Sequence, residues 1–304
     1  MSSDRPSINR RKALCGAAMF GAVLEKTLAS ANADTPDGAM RVNLPPDYFS
    51  DAVTKLRTHV KMIGSLRDGT VCSFLRLNIY ADQGKGNFIP LFTLNNIVVD
   101  HWTRTDEHQY EMRKFEVGYY SEYDSHRPIE SFNNPLTGKT VAVHQFKLGP
   151  VPRVYTPDGV IAMGFTPKLL PIEIIGDRVF LATESIESRA DPIRPDQTLY
   201  VNSFMTLSTP LGAILDEDVY SAPVHLQLQN KSHWLSWMGM EEQSGGTVAR
   251  GYGSKIDSLE ALPESIKVSA RRYVPEIFDT LNWTEFLFEE SEMLKAQQEN
   301  AKTA

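Results

Sequence analysis

Seven histidines, His59, His101, His108, His126, His144, His225 and His233, are the side chains best suited to moving protons near neutral pH. None pair at metal-ligand spacing within one element, and no H-E-x-x-H occurs. Several instead stand among aromatic and charged neighbours. Asp100-His101-Trp102 falls in an apolar run. Glu116, Tyr119, Tyr120 and Tyr123 crowd one segment, with His126-Arg127 just after it. His233-Trp234-x-x-Trp237 is the densest group. An imidazole or a phenol can act as a general acid or base, which singles out His101, Tyr119, His144, His225 and His233. Arg127 and Lys255 can stabilise a developing oxyanion. Trp102, Tyr123, Trp234 and Trp237 can wall a pocket for an apolar or aromatic ligand. Taken singly, each residue is more simply read as packing or as solvated surface. The chain has no G-x-G-x-x-G opening a βαβ unit, no Walker loop and no G-x-S-x-G elbow. The expected site therefore uses neither a cofactor nor a metal.

The elements that must position these residues read as mostly β. Residues 46–64 carry apolar positions at 3–4 spacing, which predicts an amphipathic N-terminal helix. Strands follow at Val71–Tyr80, Phe88–Leu94, Asn96–Arg104 and Tyr110–Tyr123. In the last, Phe115, Val117 and Tyr119 oppose Glu116 and Tyr120. Further strands are predicted at Thr140–Phe146, Ile172–Ile175, Arg178–Thr183, Leu199–Leu207, Pro223–Gln229 and Thr247–Tyr252. The polar stretch Ser188–Gln197 reads as a loop. Gly176-Asp177 marks a hairpin. The period then lengthens, predicting two C-terminal helices, Pro263–Thr280 and Trp283–Gln298. Alternating strands without a βαβ rhythm predict an antiparallel barrel or sandwich of lipocalin-like type.

Arg10-Arg11 precedes a short, mildly apolar stretch and two A-x-A sites, the pattern of a twin-arginine export signal over residues 1–33. Residues 34–298 are expected to form one β-rich domain, and 299–304 a disordered tail. The apolar stretch is too short to span a bilayer. Export predicts a periplasmic protein, with the export machinery recognising Arg10 and Arg11. The full chain carries 31 basic and 38 acidic residues, a net charge of -7, which argues against nucleic-acid binding. Cleavage leaves Cys72 without an intramolecular partner, and its apolar setting predicts a buried, inert thiol.

Four ordered segments carry a family resemblance. They are Val60–Leu66, Asn134-Pro135-Leu136-Thr137-Gly138-Lys139-Thr140-Val141, Trp234-Leu235-Ser236-Trp237-Met238-Gly239-Met240, and Arg250-Gly251-Tyr252-Gly253-Ser254-Lys255 leading to Leu262-Pro263. Together they resemble the domain of unknown function family 1838, over roughly residues 45–295. The resemblance implies a single exported domain, enzyme or binder, and supplies no reaction and no catalytic residues. The expected function is cofactor-independent proton transfer, of isomerase or lyase type, on an apolar or aromatic small molecule. A periplasmic carrier without catalysis is the alternative, and an envelope interaction protein without a pocket is a third.

Overall fold

The computed structural model describes residues 44–45, 47–162, 167–190, 198–240 and 242–282. The leader, the helix expected at Trp283–Gln298 and the tail lie outside them.

Helix α1 (Ala52–Ile63) begins where the Asp51 carboxylate accepts the Thr54 amide, a side-chain N-cap. It is followed by β1 (Gly69–Asp82), β2 (Phe88–Asp106) and β3 (Gln109–Glu122). The short hairpin β4 (Ser131–Asn133) and β5 (Thr140–Ala142) stands apart. Next come β6 (Phe146–Thr156), β7 (Gly159–Ala162), β8 (Lys168–Leu169), β9 (Glu173–Ile175), β10 (Arg178–Ala190) and β11 (Thr198–Pro210). A one-turn helix α2 (Leu211–Leu215) precedes β12 (His225–Ser232) and β13 (Gly246–Ile256). Helix α3 (Glu264–Tyr273) and a 3-10 helix, Pro275–Asn282, are the last of the described elements.

The large sheet runs β7-β6-β3-β2-β1-β13-β12-β11-β10-β8, with β9 also on β10, and its recorded pairings are all antiparallel. This is an up-and-down meander whose first long strand pairs with its last. The result is a nearly closed antiparallel barrel-shaped sheet with helices at either end of the chain. The expected fold class is the observed one.

Register and burial separate the two faces. Leu75, Leu77 and Ile79 on β1, Val98 and Leu94 on β2, Leu226 on β12, and Leu207 and Leu181 on β11 and β10 share the inward face. Cys72, Ile97, Val99, Phe115, Val117 and Tyr119 share the outward face, where Leu262, Ile266 and Ala270 cover them. β3 alternates as expected but has no wet face in its middle. Its inward Tyr120 and outward Tyr119 are both buried, because the barrel wall has a helix behind it.

Three expectations about strands need correction. Phe88–Leu94 and Asn96–Arg104 are one continuous strand, not two. Asn95, which reads as the short connection, and its neighbour Asn96 are both buried and bonded to β3. Asn95 Nδ2 donates to Ser121 Oγ at 2.9 Å, and Asn96 Nδ2 to Glu116 Oε1 at 2.6 Å. The expected strand Thr140–Phe146 is only β5, and the main sheet resumes at Phe146 as β6. Pro150 and Pro152 disguise that strand in the sequence. They fall beside the register shift between Lys114 and Glu116, where the ladder is already interrupted. β10 also runs to Ala190, beyond the expected loop start at Ser188.

Candidate functional site

Charged side chains on the inward face define the site. β2 contributes Asp100, β3 Lys114 and Glu116, and β13 Lys255. Asp100 pairs across the ladder with Lys114, and Lys255 with Ser73 of β1. Asp100 is 4% exposed and its Oδ1 has no hydrogen-bond partner. Burial raises its carboxyl to about 6, against the pull of Lys114, Arg153 and Lys255. Lys255 Nζ donates to the Gly64 carbonyl at 2.8 Å and to the Lys61 carbonyl at 3.3 Å. Burial lowers its ammonium to about 7, and Asp100 opposes that shift. Lys114 Nζ and Glu116 Oε2 are 3.9 Å apart. Asn96, 1% exposed, keeps an unpartnered Oδ1 beside them.

The end of the barrel near this cluster is closed by α1. Lys61 is itself buried and donates through Nζ to the Ile214 carbonyl at 2.8 Å. Trp102 lies against Gly64, where a Cβ would sit 1.9 Å from the indole, and packs on Tyr155 at 5.0 Å between ring centroids. His59 meets Tyr155 edge-on at 5.3 Å, and full burial holds it neutral with a pKa of about 4. The opposite apolar cluster is aromatic. Trp237 packs on Phe92, Tyr120 and Phe132 with centroids 5.3–6.1 Å apart.

Of the residues singled out from sequence, Lys255 and Trp102 reach the inward face at this end. The others do not join them. His101 is on the other face, bonded through Nδ1 to Thr70 Oγ1 at 3.0 Å. Tyr119 is buried beneath α3, stacked on Tyr273 at 6.1 Å. His225 points outward from β12, and His144 is exposed after β5. His233 lies in the turn after β12, with Tyr200 edge-on at 6.4 Å. Arg127 is exposed and bound to Glu122. Trp234 donates through Nε1 to the Gln243 carbonyl at 2.9 Å, and Trp237 belongs to the aromatic cluster. Tyr123 shares a 2.8 Å hydroxyl contact with Tyr80 on the outer surface. Cys72 is buried, with its thiol raised to about 11 by desolvation, as an inert thiol should be.

Because exposed ion pairs add little, Arg127→Ala should move the melting temperature by no more than about 2 °C, read by thermal unfolding. Spacing gives Asp100, Lys114, Glu116 and Asn96 no role, although Asp100 and Glu116 stand in the notable groups, since a charge inside an apolar strand reads as an exception to alternation. The usable signal was Asp100 itself, a carboxylate flanked by Val98-Val99 and Trp102.

Among the described residues no three His, Cys, Asp or Glu side chains gather as metal ligands, and no helix is long and apolar enough to cross a membrane. The four segments that mark the resemblance meet in two pairs. Lys255 bonds Gly64 of the first segment. Asn134, buried at the turn, donates through Nδ2 to the Met238 carbonyl at 3.1 Å. Among curated proteins, none matches the chain. A family model described as a protein of unknown function, DUF1838, matches residues 78–282, more than half of the chain, and the chain belongs to that family.

Proposed function

We propose that the chain is an exported, cofactor-independent enzyme of isomerase or lyase type, working in the periplasm on a small, mainly apolar molecule with a carbonyl group. The observation that supports this reading is the pair Asp100 and Lys255 on one inward face, with the carboxyl raised and the ammonium lowered toward neutrality. Asp100 takes a proton from the carbon beside the carbonyl. The electron pair moves onto oxygen, and the Lys255 ammonium holds the resulting enolate. Return of the proton to another carbon completes an isomerisation. Loss of a group from the adjacent carbon, protonated as it leaves, completes an elimination. The inward leucines supply apolar walls, and Asn96 a fixed amide.

A carrier reading is favoured by one contact. Lys255 already donates to two carbonyls of the α1 end, as a purely structural lysine would. Isotope exchange separates the two. Native mass spectrometry of protein isolated from its own periplasm identifies a bound compound. That compound is then incubated with the protein in D2O. Deuterium uptake at a carbon, or a rearranged product, supports the enzyme. Quantitative return of the unlabelled compound leaves only the carrier.

The reactive form needs Asp100 ionised and Lys255 protonated. Exchange should therefore follow a narrow bell, rising through about pH 6 and falling through about pH 7, with both limbs belonging to the interacting pair. A rate flat from pH 5 to 8 removes the pair from the chemistry.

A further inference from the structure

On the outer face, far along β1 and β13 from α1, a cleft of about 340 Å³ is lined by Arg76, Asn78, Tyr123, His126, Arg250 and Tyr252, with Asp124 also on its wall. Its size is at the lower end of small-ligand sites. Arg76 faces Tyr252 across the ladder, and Asn78 faces Arg250. The two arginines are thus diagonal neighbours on one face, a spacing of about 7–8 Å that one carboxylate can bridge.

Both are held in place from beneath. Arg76 Nε donates to Oδ1 of the fully buried Asn95 at 3.2 Å, which leaves its terminal nitrogens for the cleft. The Arg250 guanidinium stacks on Phe88 at 4.7 Å. Among the described residues neither arginine has a carboxylate within ion-pair distance. Asn78 accepts through Oδ1 from Thr93, so its amide nitrogen remains available. His126 is brought to the rim by a left-handed backbone, φ 57°, unusual outside glycine.

The surroundings indicate what kind of anion fits. Tyr252 is 67% exposed on the barrel wall, a flat ring with no cover. Beside it, the exposed amides Gln227 and Gln229 continue the same outward face onto β12, and exposed Phe204 extends it onto β11. Open aromatic faces, side-chain amides and forked cations in one shallow row suit a chain of hydroxylated rings bearing carboxylates. A compact ion would use only the two arginines. We propose that this face binds an acidic polysaccharide, with a sugar ring on Tyr252 and its carboxylate between Arg76 and Arg250.

The net charge of -7 opposes any polyanion, so binding must come from this local site. The test is migration of the full-length chain through native gels containing polygalacturonate, neutral dextran or polyglutamate. Retardation is expected in polygalacturonate alone. It should disappear in Arg76→Ala/Arg250→Ala and weaken at least about fivefold in Tyr252→Ala. The Tyr252 side chain is mostly exposed, so that variant keeps its fold, which its melting temperature checks. No retardation in polygalacturonate overturns the proposal. Equal retardation in polyglutamate, or none of the loss expected in Tyr252→Ala, also overturns it, because either shows general charge attraction.

Discussion

Asp100→Asn should lose about 10²–10⁴-fold in isotope exchange of the bound compound and, at the same time, become more stable. The two effects have one cause. Asp100 is buried with an unpartnered oxygen, and its carboxyl is raised from 3.8 to about 6. The folded state therefore holds that proton more tightly than the unfolded chain. The stability that this gives is complete below about pH 4 and is lost as pH rises through about 6. Above that, the ionised carboxylate opposes folding by about 3 kcal/mol. Asparagine has no charge to bury. Its advantage should be about 5–10 °C in melting temperature at pH 8 and should shrink to nothing near pH 4. Paired measurements of exchange and thermal unfolding at the two pH values check this. A variant that loses exchange and also melts earlier at pH 8 assigns Asp100 a structural role. One that melts later yet exchanges at the original rate removes it from the reaction.

Gly251→Ala should destabilise the barrel by about 3 kcal/mol or more. A Cβ at Gly251 would lie 1.9 Å from the Arg76 carbonyl oxygen and 2.8 Å from the Leu77 Cα. Neither is the free end of a side chain, so nothing can swing aside. Gly253 is in the same position, 2.1 Å from the Phe74 carbonyl oxygen. The alternate glycines on the inward face of β13 let it lie tightly against β1. The comparison is Gly84→Ala, where a Cβ meets nothing within 4 Å and only the positive φ of 71° resists. Urea unfolding of the two variants should show the larger loss at Gly251, and equal losses would remove the close approach as the cause.

The meander, its antiparallel pairing and the helix at each end follow from periodicity, because one apolar face per strand writes a period of two into the sequence. Periodicity failed where both faces are covered. Asn95 is a turn former by type and reads as a connection, and only its partner Ser121, 26 residues away on β3, makes it a strand residue. The site was less legible for a related reason. Histidines and tryptophans stand out in a sequence, but the barrel turned His225 outward, buried Tyr119 under a helix and spent Trp234 and Trp237 on packing. The inward cluster gathers charges from β2, β3 and β13, and only the barrel's curvature and register place them together. Lys255 was visible because of its motif, yet its contact with Gly64 depends on closure of the whole sheet.

That closure also determines when the fold can form. Cys72 of β1 lies opposite Ile256 of β13, so nearly the whole domain separates the two sides of this ladder. Contacts of such long range form late and slowly, since a large loop must close before any of them is made. A chain still leaving the ribosome carries β1 with an unpaired edge, next to the completed hairpin with β2. Such an edge invites pairing with other chains. Folding is therefore a race between the last strand's arrival and edge-to-edge association, and slowing synthesis between residues 122 and 246 should tip it toward aggregation.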